Sequence, residues 1–210
     1  YWHMYLRNTD TVEATAAYST FYARPLKYMG DIRGDSNPTN EVASHAYTSG
    51  SDYRILTHLK AITGLAFDLP TVLMHEIATR AGTETTYFWG EDSSLASEYA
   101  AIGLATRNND HGYTTAVGSK LPNAWGLYDM VGLDWQWCLD TLNGTGGSVF
   151  VPATGSSDNR VVRGGDGKTT AANLTSVLSS SANGTSSAAS TQRYACRVAY
   201  IVEEGGCHEK

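Results

Sequence analysis

Cysteine is scarce in this chain, and its three copies, Cys138, Cys196 and Cys207, are scattered. An odd number spaced so widely makes neither a disulfide framework nor a zinc cluster, and it leaves at least one thiol free or intermolecular. Cys207, in a polar Gly-Gly-Cys-His-Glu-Lys tail, is the expected exposed thiol. Whether Cys138 and Cys196 pair, and with it the redox compartment, stays open. Positive charge is also in short supply: 15 Lys and Arg face 21 Asp and Glu, for a net charge of -6. A nucleic-acid partner would need a basic face, so none is expected. No apolar run approaches the roughly 18 residues of a membrane span, so no membrane insertion is expected. No signal peptide is visible, but the sequence opens on Tyr1 rather than Met, which leaves open what precedes it. Catalytic spacings are missing too. His75-Glu76 lacks the second His that a zinc-binding helix needs, since Thr79 stands at that position. His75 therefore reads as a packed core residue, and no Ser-His-Asp or Cys-His arrangement can be assigned from spacing.

What is present is an ordinary globular core. With 210 residues, 41% of them hydrophobic and 10% aromatic, the chain can bury one large domain, with or without an N-terminal extension. The spacing predicts a helix over 52–62, capped by Ser51, with Ile55, Leu56, Leu59 and Ile62 on one face and Gly64 as the stop. A second helix is expected after Thr71 as N-cap, ending at Ala81-Gly82. From 87 to 140 short aromatic-rich pieces alternate with Gly, Asn, Asp and Pro, the pattern of small strands and long connections. The class is α+β with much irregular structure, anchored by five Trp and thirteen Tyr. Trp135 and Trp137 alternate with Asp134 and Gln136, which puts both indoles on one side of a strand, as core rather than as a sugar-stacking platform.

One segment is unlike the rest. Residues 166–193 read DGKTTAANLTSVLSSSANGTSSAASTQR, nearly all Ser, Thr, Ala, Asn and Gly, with no aromatic residue. In isolation such a tract buries too little apolar area to offset the entropy of ordering it. Yet 160–165 leads in and 194–202 leads out, and both flanks read as strands. A biased tract framed in this way points to residues chosen for something other than folding. Smaller strings carry little weight: Arg33-Gly34-Asp35-Ser36 is a chance-level match to an integrin motif. The sequons at Asn143, Asn173 and Asn183 follow from composition and matter only in a eukaryotic secretory setting.

Three separated motifs, in order, carry a family resemblance. Leu69-Pro-Thr71, Glu76, Ala78, Arg80-Ala-Gly82 and Tyr87-Phe-Trp-Gly90 come first. They are followed by Val117-Gly-Ser-Lys-Leu-Pro-Asn-Ala-Trp-Gly-Leu-Tyr-Asp-Met130 with Gly132-Leu-Asp-Trp-Gln-Trp137 and Asp140. Arg163-Gly-Gly165 and Arg197-Val-Ala199 close the set. Together they resemble the signature of the formylglycine-generating enzyme (sulfatase-modifying factor) family. The resemblance implies a C-type-lectin-like fold, with a small mixed sheet, two helices and long ordered loops, over residues 41–202. Residues 1–40 are then an extension or the first strands of the domain, and 203–210 a polar tail. Enzymes of that family resemble copper oxidases with two cysteines between the Arg-Gly-Gly and Gly-Phe-Arg motifs. Here no cysteine lies between Cys138 and Cys196, and Cys196 takes the place of the Phe, facing the core. A thiolate is the soft ligand copper requires, so no oxidase activity and no cofactor are expected. The family's structural calcium is left in doubt, because Leu133 and Gln136 replace Asn and Glu, although Asp134 and Asp140 keep some acidity nearby.

The tract matches a particular branch of these lectin-like proteins. It resembles the variable proteins of diversity-generating retroelements, in which adenines of Asn codons are scrambled to give Thr, Ser, Ala, Gly, Asp or Tyr. Ala172-Asn-Leu174 with Ser176 retains the unscrambled frame of that segment, while Tyr194-Ala-Cys-Arg departs from its closing motif. The resemblance implies a non-enzymatic display protein. Its expected ligand-binding residues are Asp166, Lys168, Thr169, Thr170, Asn173, Thr175, Ser179, Ser180, Ser181, Asn183, Thr185, Ser187, Thr191 and Gln192. It also implies a protein or glycan partner on a cell surface, a place on a phage tail or bacterial surface, and avidity through oligomers. The other readings are a divergent oxidase and a structural virion protein whose tract is an inert spacer.

Overall fold

A computed structural model describes residues 55–104, 116–155, 159–183 and 194–200. Helix α1 spans Ile55–Thr63 and ends where Gly64, at φ 71°, turns back so that its N–H reaches the Lys60 carbonyl at 2.9 Å. The expected stop is therefore in place, while Ser51 and Asp52 lie outside the described residues. Leu56 is fully buried and Leu59 packs against the same cluster, but Ile62 is 64% exposed, contrary to the expected apolar face. Each step of three residues falls about 60° short of a full turn, so two steps carry Ile62 about 120° away from Leu56. Helix α2 spans Val72–Arg80. Thr71 caps it as expected, its hydroxyl accepting from the Met74 N–H at 3.2 Å, and Ala81 leaves it in a left-handed conformation at φ 49°. A short helix α3, Ala96–Tyr99, follows a single 3₁₀ turn at Ser93–Leu95.

Three antiparallel strands form the sheet in the order β1 (Gln136–Thr141), β2 (Asn159–Arg163), β3 (Ser179–Asn183). All six residues of β1 are buried, so the strand is covered on both faces. A register shift between Trp137 and Thr141 marks a bulge against β2. The expected strand at 194–202 is reduced, over its described part, to isolated bridges: Ala195 pairs in parallel with Gln136, and Ala199 pairs antiparallel with Asp68. Among the described residues, the parallel pairing expected of a mixed sheet occurs as isolated bridges, Gln136 with Ala195 and Ala101 with Gly132. Conversely, β3 lies inside the Ser-rich tract, where composition gives no strand signal. The open edge of β2 supplies its ladder, pairing Val161 with Ser181 and Val162 with Ser180.

Among the described residues the core has two centres. Trp137, Leu56, Leu69, Leu139, Val162 and Tyr194 make one, and Trp135 packs on its margin, so both indoles are core residues as expected. Phe88, Ala96, Ala100, Val131 and Leu174 make the other, and through Leu174 the tract enters the interior.

Candidate ligand-binding surface

The motif residues act as staples between elements. Arg163, at the end of β2, donates to Glu76 Oε2 at 2.8 Å, and Arg80 donates to Glu76 Oε1 at 3.0 Å. Desolvation works against the Glu76 carboxylate, but its bonds to Arg163 and Arg80 prevail and hold its pKa below the usual value. Asn123 donates from Nδ2 to the Ala78 and Thr79 carbonyls at the end of α2, and its Oδ1 accepts from the Trp125 and Leu127 N–H groups. Asp140 uses one oxygen on the Val72 N–H (2.7 Å) at the start of α2 and the other on the Ala153 N–H (2.8 Å). Gly164 and Gly165 take φ 93° and 78°, and a Cβ there would meet the Met130 carbonyl and the Leu178 and Thr169 side chains at 2.9 Å. The bend that starts the tract therefore admits no side chain.

Beneath the bend lies a buried polar hub. Gln136 Oε1 accepts from Arg197 Nε at 2.9 Å, and its Nε2 donates to the Asp129 carbonyl at 2.8 Å. These two bonds fix the amide orientation, so His75 Nε2, 3.2 Å from Oε1, must carry the ring proton. His75 Nδ1 is then a bare acceptor facing the Thr79 hydroxyl at 3.2 Å. Burial, reinforced by the charge of Arg197, pushes the His75 pKa down to about 3. The imidazole is neutral and belongs to the core, as its sequence position suggests.

Above the bend the tract runs across the surface. Asp166 and Thr169 are half-buried and close a turn on each other, with Thr169 Oγ1 3.0 Å from Asp166 Oδ1. Lys168, Thr170 and Asn173 are exposed, Thr175 is half-buried, and Ser179 and Ser180 are exposed on β3. Leu174 is fully buried, and Ser176 is 4% exposed and donates its N–H to the Thr86 carbonyl at 3.0 Å. Ser181 and Asn183 sit on the β3 backbone opposite Val161 and Asn159. Thr185, Ser187, Thr191 and Gln192 lie outside the described residues. Beside the tract stand aromatic rings that the tract-centred sequence reading did not include: Tyr87 donates its hydroxyl to the Ala172 carbonyl at 3.2 Å. The Tyr87-Phe-Trp-Gly90 motif was the signal that could have found them.

The groups that the family resemblance raises do not fit these residues. Cys138 and Cys196 are unpaired thiols, Cys138 within β1 and Cys196 against the core. Desolvation pushes Cys196 up to about 12 and Cys138 higher still, the reverse of what a reactive thiolate needs. At the calcium positions, Gln136 is consumed by the hub, and Leu133 holds a left-handed φ of 65° that Asn would tolerate better. Both oxygens of Asp140 go to backbone N–H groups, and Asp134 is buried, its carboxyl pushed well up by desolvation and by Asp166. Calcium takes six to eight oxygens, and among the described residues no three His, Cys, Asp or Glu side chains gather.

The family itself is decided by a family-model match. The sulfatase-modifying factor enzyme 1-like domain spans residues 13–200 of the sequence. The chain belongs to this family. Within the sulfatase-modifying factor family it is 36% identical over 76 residues to the formylglycine-generating enzyme of Mycobacterium tuberculosis, covering 33% of this chain and 25% of that one. It is 31% identical over 94 residues to that of Thermomonospora curvata, covering 41% and 31%. The chain thus spans between a quarter and a third of the curated relatives it matches. Among solved structures, PvdO from Pseudomonas aeruginosa superimposes with a TM-score of 0.52 at 22% identity, covering 61% of this chain and 51% of that one, a likeness of fold. Treponema denticola variable protein 1 gives 0.47 at 28% identity, covering 57% and 43%.

Proposed function

We propose that this protein is a non-enzymatic binding protein of the kind diversified by retroelements, with the 166–193 tract as its ligand surface. One observation carries the reading. Within a single segment, Leu174 and Ser176 are buried at 0% and 4%, while Lys168, Thr170, Asn173, Ser179 and Ser180 face solvent. Of the residues that keep the retroelement frame, Leu174 and Ser176 anchor the tract while Ala172 and Asn173 face solvent, and the positions around the two anchors are free to vary. That division of labour is the logic of a paratope, in which a rigid frame carries adaptable polar contacts. A cell-surface partner, a virion or bacterial-surface location and an oligomeric assembly go with this reading. An oxidase is not favoured, because Cys138 is buried in β1, Cys196 packs half-buried against the core, and desolvation holds both as protonated thiols.

The test has a genetic and a biochemical arm. Flanking DNA should hold a near-copy of codons 166–196 with adenines restored, beside a reverse transcriptase. In binding to a panel of intact bacterial cells, Asn173→Tyr and Ser179→Tyr should change which cells are bound, with stability altered by no more than about 0.5 kcal/mol. Trp137→Ala, which empties the core, should cost about 3–5 kcal/mol. Absence of the repeat together with cell binding indifferent to the tract would overturn the reading.

A further inference from the structure

The tract has no Tyr, Trp or Arg before Arg193, and such residues carry most interface energy. The fold supplies aromatic rings from outside the tract. Trp89 lies between Tyr87 and Tyr99, with ring centroids 4.8 and 5.2 Å away and planes inclined by only 12° and 6°. Phe88 braces the stack edge-on, 4.9 Å from Trp89 and 5.6 Å from Tyr99. Tyr87 and Phe88 are buried, whereas Trp89 and Tyr99 remain partly open to water. Trp89 Nε1 is already engaged, donating to the Asp92 carbonyl at 2.9 Å.

This stack borders the tract directly. Tyr87 Oη holds the Ala172 carbonyl, Thr86 holds the Ser176 N–H, and Ala171 packs on the same cluster as Trp89 and Tyr99. Exposed Thr170 precedes and exposed Asn173 ends the 3₁₀ turn of Ala171–Asn173, whose first residue packs on that shared cluster. The rings are locked in place by neighbours on the frame, so contact with a ligand costs them little side-chain entropy. The tract positions adjoining them, Thr170, Asn173 and Thr175, are all uncharged hydrogen-bonding groups.

We propose that Tyr99, the end ring of this stack backed by Trp89, is a constant aromatic anchor for a neutral saccharide, whose hydroxyl groups are read by Thr170, Asn173 and neighbouring tract residues. The proposal rests on the reading of the tract as a ligand surface. A sugar ring combines an apolar C–H face, which stacks on an aromatic ring, with a rim of uncharged hydroxyls suited to amide and hydroxyl partners. An anionic or cationic ligand would find no matching charge at these positions. Because Tyr99 and the Trp89 ring behind it lie outside the tract, every tract variant would keep the anchor and change only which hydroxyl pattern fits.

Saturation-transfer NMR on the intact chain tests this with cellotriose, maltotriose, mannotriose and chitotriose as probes. Irradiation of aromatic protons should transfer to sugar C–H protons. Tyr99→Ala should weaken binding by about fivefold, the worth of one aromatic contact, and Tyr99→Phe should restore it. Asn173→Tyr should reorder the four sugars. Transfer to none of the probes overturns the proposal, and that result comes from the unmutated chain, whatever the variants do. It is also overturned if protease treatment of target cells abolishes binding while periodate does not, which would mark a protein ligand. Sugar binding that responds to Asn173→Tyr but not to Tyr99→Ala removes the anchor and leaves the tract reading standing. Binding that responds to Tyr99→Ala but not to any tract change removes the tract reading.

Discussion

A single amide, that of Gln136, joins a helix, a strand and the C-terminal segment through His75, Asp129 and Arg197. A glutamate there, as in the family motif, would bring a negative charge beside Arg197. With Gln136 the Arg197 charge is held by neutral oxygens, the Tyr128 and Asp129 carbonyls included, with Asp129 as a nearby carboxylate. His75 makes this hub sensitive to acid. Its pKa is about 3 when folded against 6.5 ordinarily, so between those values the unfolded chain binds the extra proton. Stability therefore rises with pH across that window and is lost as pH falls from 6.5 towards 3. Glu76, also held below its ordinary value of 4.5, adds its own loss only at lower pH. Between pH 6 and 5 the two are separable: His75→Phe should remove a slope of at most about 1.4 kcal/mol per pH unit from denaturant-derived stability. An unchanged slope in that interval would mean that His75 is not a buried neutral ring.

At the scale of elements, β3 is where folding and the proposed display share one segment. Leu174 leads into it from the interior, and Ser179 and Ser180 stand exposed on it. Leu174→Asp should lower stability by several kcal/mol, since an unpaired carboxylate would replace a fully buried side chain. Ser180→Tyr should leave the melting temperature nearly unchanged, because tyrosine suits an exposed strand position. If thermal unfolding reverses that order, the tract is not a displayed surface. The same elements indicate what sequence can reveal. Helix α2 was legible because its signals are local: the Thr71 hydroxyl reaches the Met74 N–H three residues on, and Gly82 lies just past the end. Strand β3 was not legible, because what makes Ser-Ser-Ser-Ala-Asn a strand is the open edge of β2, some twenty residues earlier. The bulge in β1 and the reduction of 194–202 to isolated bridges are likewise outcomes of long-range pairing. In the candidate surface, the buried frame of Leu174 and Ser176 was readable only through the resemblance to the retroelement segment, since side-chain type alone does not separate Leu174 from Val177, which is 46% exposed. The Tyr87-Phe-Trp-Gly90 motif marked the neighbouring rings, but their place beside the tract was not legible, because nothing local ties residue 87 to residue 172.

At the scale of the whole molecule, the chain keeps the family's scaffold and lacks thiols where the resemblance puts copper chemistry. The staples retained by Glu76, Asn123, Arg163 and Arg197 all hold elements together. What departs from the motif, at Leu133, Gln136 and Cys196, falls at positions tied to calcium or to packing. A thiol buried among apolar side chains keeps its proton, and copper(I) binds only after that proton leaves. Reconstitution makes the consequence measurable. In a Cys207→Ser background, which removes the tail thiol outside the described residues, the chain should take up no stoichiometric copper(I) and should leave a cysteine-containing sulfatase peptide unoxidised under oxygen. Additional replacement of Cys138 and Cys196 by Ser should change only stability, because a hydroxyl in each apolar site loses packing and needs a hydrogen-bond partner. One equivalent of copper(I) bound in the parent and lost in the cysteine-free variant, with matching loss of peptide turnover, would make the chain an oxidase and remove display as its main function.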